Sequence, residues 1–263
     1  MAVHTILRAI GETHDLRENM VIKGGILLAI RYQSLRYTRD IDFSTDILSR
    51  DFDLEFFEEA FAAALSAACD RLEYGLDCRI QSCKMQPHHL SNPTFPTLHL
   101  RIGYAPKLDR RRHRRLLSQN SSDVVQVDYS FNEITQEVEK IELTDGGSIL
   151  AYSFCEIVAE KYRAILEQEV RGRNRYQDAY DLYKLVRGNP DVSQVERENI
   201  LGSLKYKCEH RNLKVDSQSM TDSKIKERSS REYKELAAEI PEALPPFEKV
   251  YSCVCKFYTS LPW

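Results

Sequence analysis

The chain has 263 residues, 42% of them hydrophobic and 29% charged, with a formal net charge of −3. That length admits one large core or two modest domains, and the bulk charge excludes a molecule that binds polyanions over its whole surface. No apolar run approaches the roughly 20 residues that cross a bilayer, and the opening MAVHTILRAIGETHD carries no cleavage-like site, so neither a membrane span nor a signal peptide is expected.

Residues 4–18 predict a first helix with Ile6, Leu7 and Ile10 on one side. Val21 and Ile22 make a short strand that ends in Lys23-Gly24-Gly25, and residues 26–32 start a short helix. Arg39 to Ser44 (RDIDFS) alternates polar and apolar residues, as a half-buried strand does. Residues 52–74 predict a long helix, with Leu54, Phe57, Phe61, Leu65, Ala68 and Leu72 at spacings of three and four. Strand-like stretches follow at 76–84, 97–105, 123–131 and 136–143, and a loop between the second and third carries Arg110, Arg111, Arg112, His113, Arg114 and Arg115. After Asp145-Gly146-Gly147 the pattern turns helical. Ser153 and Glu156 form a capping box for a helix over 154–169, and a second helix over 176–187 ends near Gly188-Asn189-Pro190. The polar stretch 209–230 reads as a loop or a loosely packed helix pair, and a last helix covers 246–259. The expected organisation is an α/β domain over 1–148 and a helical domain over 149–263. The seven cysteines are odd in number and lack Cys-x-x-Cys spacing, which predicts buried thiols in a reducing, cytoplasmic compartment.

The first site signal is the order strand, Gly-Gly, short helix, then a strand bearing Asp-x-Asp. Two glycines let backbone N–H groups approach a phosphate chain with no Cβ in the way, and the helix that follows adds partial positive charge. Asp40 and Asp42 share one face of their strand because side chains alternate, while Ile41 and Phe43 face the core. Two adjacent carboxylates repel unless a divalent cation such as Mg²⁺ (or Mn²⁺) sits between them. In VVQVDYSF the same alternation sends Val125 and Val127 inward and Asp128 outward, as a candidate third carboxylate. Taken singly, Gly-Gly is a turn and Asp-x-Asp a solvated strand face; the combination carries the reading.

The second signal is a charge inside an apolar stripe. Phe154, Ile157, Val158 and Ile165 line one side of their helix with Lys161 in their midst, while Glu156, Glu160, Arg163 and Glu167 lie opposite. In the next helix Asp178 shares a stripe with Leu182 and Leu185, and Asp181 lies at its edge. Unpaired burial of such a lysine costs several kcal/mol. Two readings stand: Lys161 pairs with Asp178 to fix helix packing, or Lys161 binds nucleotide phosphates with an aspartate ordering it.

The run KGG…R…TRDIDF, a strand with Asp, EIVAEKYRA, R…QDAYDLY and the closing FEKVYSCVCKFYTSLPW resembles the AbiEii/MenT nucleotidyltransferase toxins of type IV toxin–antitoxin systems. The resemblance spans residues 20–186 and the C-terminus. It implies an α+β chain: a DNA polymerase β-like nucleotidyltransferase domain, its mixed sheet flanked by helices, followed by a helical C-terminal domain. It places Gly24, Gly25, Thr38, Arg39 and Lys161 at the nucleotide and Asp40 and Asp42 on the metal. Thr38 matches a hydroxyl position that is a regulatory phosphorylation site in some relatives, and Asp178 or Asp181 matches the family's helix aspartate. The activity it implies is transfer of NMP from an NTP, CTP among them, to the 3′ end of tRNA, which stops translation until a cognate antitoxin intervenes. The competing readings are NMP transfer to a protein or small molecule, and a nucleotide-binding regulator without turnover. The arginine block departs from the family pattern. It reads either as a solvated loop or as an RNA-gripping finger extended by Arg101 and Lys107. Nothing in the pattern demands more than a monomer.

Overall fold

The computed structural model describes residues 1–38, 40–87, 95–144 and 146–263. Among them, strands β1 (Val21–Lys23), β2 (Asp40–Ser44), β3 (Leu76–Gln86), β4 (Thr97–Pro106), β5 (Val124–Ser130), β6 (Val138–Glu142) and β7 (Ser148–Tyr152) form one mixed sheet in the order β3-β4-β5-β2-β1-β7-β6. β2 runs parallel to β5 and antiparallel to β1, β7 runs parallel to β1, and β4 is antiparallel to both β3 and β5.

Pairing register sorts the side chains of the central strands onto two faces. Ile41, Val127 and Leu100 stand side by side on one face and are buried. Phe43, Tyr129 and Leu98 form the next buried row on that face. Helices α1 (Ala2–Glu12), α2 (His14–Asn19) and α4 (Leu54–Arg71) cover it; α3 is Gly24–Tyr32. Phe57 of α4 stacks on Tyr129 with ring centroids 5.7 Å apart, and the Tyr129 hydroxyl donates to the Asn19 carbonyl at 2.9 Å. Each such fully buried side chain contributes about 1.5–3 kcal/mol of apolar burial.

Three local expectations are corrected. The predicted first helix is two, because Thr13 is extended (φ −102°, ψ 114°) between α1 and α2. The Arg110–Arg115 block is not a loop but α5 (Arg110–Leu117). Asp109 caps it by accepting from the Arg111 and Arg112 amides, and Leu116 is its one buried residue. The stretch after Gly146 and Gly147, both at positive φ, is first a strand, β7; its apolar run SILAY pairs with β1.

Two compact units divide the chain: Met1–Leu28 with Thr38–Ala151, and Ala29–Tyr37 with Tyr152–Trp263. In the second, α6 (Phe154–Arg171) packs against α7 (Tyr176–Gly188), α8 (Gln194–His210) and α9 (Ser223–Ser230), and α10 (Phe247–Thr259) lies on α7. The polar face expected on α6 is buried as well. Glu156, Arg163 and Glu167 are all buried, because α8 and the residue after it cover them with matching charges. Lys207 Nζ lies 2.7 Å from Glu156, Arg211 lies 3.5 Å from Glu167, and Arg163 pairs with both Glu160 and Glu167. Among the described residues no helix is long and apolar enough to cross a membrane.

Candidate active site

β1 ends at Lys23 and the chain turns through Gly24, whose φ of +71° suits a residue without a side chain. The close neighbour there is a carboxylate: a Cβ on Gly24 would lie 2.0 Å from Asp42 Oδ2 and 2.7 Å from its Cγ. At Gly25 a Cβ would meet Thr38 Oγ1 at 2.9 Å. The two glycines therefore seat the side chains of Asp42 and Thr38 against bare backbone. The first unit thus brings Gly24, Gly25, Thr38 and Asp42 together, and Asp40 lies two residues along β2 on the Asp42 face. Arg39 lies outside the described residues.

The sheet extends this cluster into a line. Asp42 pairs in register with Lys23 on β1 and with Asp128 on β5; Asp128 pairs with His99 on β4, and His99 with Lys84 on β3. Directly paired residues share a face, so five titratable side chains form one row across five neighbouring strands, opposite the helix-covered core. Within it, His99 Nδ1 lies 2.7 Å from Asp128 Oδ1, and Lys23 Nζ approaches Glu133 at 3.9 Å. The next row on the same face is Asp40, Gln126 and Arg101. Reading the sequence strand by strand finds Asp128 but not His99. The alternation TLHLRIG, which puts a histidine on the polar phase of an otherwise apolar strand, was the available signal.

Among the described residues no three His, Cys, Asp or Glu side chains gather into a cage for a metal ion. The donor set nonetheless fits a hard cation of the magnesium kind. Such an ion takes one or two carboxylates and completes its shell with phosphate and water rather than with an all-protein cage. Asp40 and Asp42 offer two carboxylates on one strand face, beside a glycine whose missing Cβ leaves room for the Asp42 oxygen.

α5 lies over this same open face at its far end. Gly103, four residues beyond His99 and on the same side of β4, has the space of its absent Cβ filled by Gln81 and Ser121 at 2.8 Å. Gln81 in turn donates to the Leu116 carbonyl of α5 at 3.3 Å. Arg112 and His113 anchor the helix through Asp123 and Asp77, each at 2.8 Å. Arg110, Arg111, Arg114 and Arg115 are exposed, and among the described residues no ion pair engages them; Lys107 is instead held by Asp70 at 2.9 Å.

The second unit has its own charged cluster. Lys161 Nζ lies 2.9 Å from Asp178 Oδ1 and 2.8 Å from Asp181 Oδ2, so both candidate aspartates of α7 hold the lysine of α6. Asp181, expected at the edge of its stripe, is the deeper of the two, with a side chain 1% exposed against 17% for Asp178. Its burial is offset by a second cation that sequence reading missed. Arg36 grips both Asp181 oxygens and reaches Glu239 at 3.3 Å. Burial works against charge at Lys161, but Asp178 and Asp181 outweigh it and hold the ammonium pKa above its ordinary value. Burial likewise pushes Asp181 up, and Lys161 and Arg36 overcome it, so the carboxyl titrates below its ordinary value. The cysteines are all free thiols, and burial raises those of Cys83 and Cys208 to about 12, so neither is a nucleophile at neutral pH.

The fold is similar to that of a protein from H. pylori described as a nucleotidyltransferase, with a TM-score of 0.51 and 13% identity over 98% of this chain and 91% of that one. MenT4, a nucleotidyltransferase toxin from Mycobacterium tuberculosis, aligns over 99% of this chain and 91% of its own, with a TM-score of 0.46 and 13% identity. No curated protein matches the chain. The pattern of the family described as "Nucleotidyl transferase AbiEii toxin, Type IV TA system" matches residues 5–253, nearly the whole sequence, and the chain belongs to that family of nucleotidyltransferase toxins.

Proposed function

We propose that this nucleotidyltransferase moves NMP from an NTP, with CTP the leading donor, to the 3′ end of tRNA, and so stops translation in the cytoplasm until a cognate antitoxin counters it. The observation that carries the polynucleotide acceptor is the face shared by the carboxylate row and α5. Asp42 and Asp128 stand in register at one end, the exposed arginines at the other, with Arg101 between them. Four residues of strand from His99 to Gly103 span about 13 Å, roughly two nucleotide steps of an RNA strand. A strand ending at Asp128 would lay its preceding phosphates toward Arg110, Arg111, Arg114 and Arg115, with Arg112 serving as an anchor.

In this reading Asp40 and Asp42 hold Mg²⁺ (or Mn²⁺), which when bound neutralises triphosphate charge and polarises the α-phosphate. Gly24, Gly25, Thr38 and Arg39 seat the phosphates. Lys161, kept charged by Asp178 and Asp181, is the cation assigned to nucleotide phosphate. Asp128 takes the proton of the acceptor hydroxyl as its oxygen bonds to the α-phosphorus, and the bond from that phosphorus to the bridging oxygen breaks to release pyrophosphate. The protein acts as a monomer.

The test is incubation of the protein with each of the four α-labelled NTPs, magnesium and total RNA, beside Asp40→Ala. Label in tRNA that vanishes in the variant supports the proposal. Label in protein, no label, or an active Asp40→Ala enzyme would overturn it.

A further inference from the structure

We infer that His99 is a positioning residue for nucleotidyl transfer: its Nδ1–H holds the Asp128 carboxylate so that the other oxygen faces the acceptor hydroxyl. The inference rests on the reading of Asp128 as proton acceptor. An ionised carboxylate only accepts hydrogen bonds, so the 2.7 Å contact with an Asp128 carboxylate puts the donated proton on Nδ1. The distance is that of a charge-assisted bond. The partners face each other directly across β4 and β5, which sets their separation by backbone register rather than by flexible side chains.

The location argues against a packing role. Leu98 and Leu100, either side of His99, are buried in the core, while the His99 side chain on the open face is 38% exposed. The neighbours supply the need. Asp42 stands in register on the far side of Asp128, so two carboxylates flank each other, and a carboxylate turns easily about its last bond. A donor on the side away from Asp42 draws one Asp128 oxygen toward β4 and fixes the plane of the other. The proton then passes from the acceptor hydroxyl to that second oxygen as the bond to the α-phosphorus forms and pyrophosphate leaves with the electrons of the broken bond. A surface pair of no consequence would be worth little, and its loss would go unnoticed in kinetics.

Two measurements decide the matter. Side-chain ¹⁵N NMR of the whole protein in mildly alkaline buffer reads the His99 tautomer without any turnover. The expected form is Nδ1–H, lost in Asp128→Ala; an Nε2–H ring in the native protein, or a tautomer indifferent to Asp128→Ala, would overturn the inference even if transfer to RNA were never seen. Kinetics with labelled CTP and total tRNA supply the second readout. His99→Leu is expected to lower kcat about 10- to 100-fold, the scale of one hydrogen bond to a charged group, with the KM for CTP unchanged. His99→Asn, which retains a donor near Nδ1, should recover most of that rate. In an Asp128→Asn background His99→Leu should add nothing, because the residue acts through Asp128. Independent, multiplying effects of the two substitutions, or a native rate in His99→Leu, would overturn it. A native protein that labels no RNA counts against the proposed function instead, and the tautomer still decides the role of His99.

Discussion

Arg36 closes on Asp181 with both arms of its guanidinium, Nε 3.0 Å from Oδ1 and Nη2 3.1 Å from Oδ2. The fork geometry matches the carboxylate plane, which a lysine does not reproduce. Arg36→Met leaves Asp181 buried with Lys161 alone and should destabilise the protein by about 3–5 kcal/mol. Arg36→Lys should recover only part of that loss. Urea unfolding midpoints measure both; equal stability of Arg36→Met and the native protein would contradict the role given to this pair.

The same cluster sets a pH dependence of stability. Asp181 titrates below its ordinary value in the folded protein, so its contribution is complete above the unfolded value of about 3.9 and fades as pH falls through the depressed one. Lys161 is raised, so its contribution is complete below about 10.4 and fades as pH climbs through the raised value. The stability gap between the native protein and Asp181→Asn should therefore be flat through neutral pH and shrink below about pH 4. Denaturation series at stepped pH check it, and a gap that widens in acid would contradict the sign.

Gly24→Ala places a methyl group 2.0 Å from Asp42 Oδ2 at a φ of +71°. The carboxylate must swing away, so transfer should fall at least about 100-fold, on the order of a misplaced catalytic group. Far-ultraviolet circular dichroism should stay native, because the displaced atoms lie at the open edge of the cluster. Gly25→Ala displaces Thr38 instead and should be the milder of the two.

On α5, Arg110, Arg111 and Arg114 replaced together by Gln should raise the KM for tRNA and flatten its salt dependence by about two to three in logarithmic slope, one step per lost phosphate contact. The KM for the NTP should not move. If RNA use is unchanged but the antitoxin no longer neutralises the variant, the surface belongs to a protein partner.

Lys207 Nζ sits 2.7 Å from Glu156 in the heart of the second unit, with both residues buried. Lys207→Met alone should cost about 3–5 kcal/mol by stranding the glutamate, whereas Lys207→Met with Glu156→Leu should return most of the stability or exceed it. Thermal melts of the three proteins distinguish a buried pair from a peripheral one.

Side-chain period made much of this legible before any coordinates. The DIDF alternation, the Val125–Val127 phase that exposes Asp128, and the lysine amid the apolar stripe of α6 all fall where the period puts them. What escaped depends on partners distant in the chain. Arg36 sits in irregular backbone whose importance comes from α7, some 145 residues away. His99 matters through a neighbour on β5. The arginine block hides its helix because its anchors are one buried leucine and two carboxylates outside the helix, Asp77 on β3 and Asp123 just before β5. The sequence announces α8 only at its start, through the capping box of Ser193 and Glu196; its apolar stripe is broken by Lys207, whose charge is answered by α6.

The nine residues 29–37 leave the first unit just after the glycine turn and return just before Asp40, having been moored in the second by Arg36 and by the Tyr37 amide on the Glu239 carbonyl. A fragment severed at residue 148 would carry both glycines and all three sheet aspartates, yet it would strand the tether that joins them. The glycine turn and the acidic strand are thus inherited as one piece with the helices, and a chimera that grafts only the sheet onto another helical partner would need Asp181 and Glu239 supplied in the recipient.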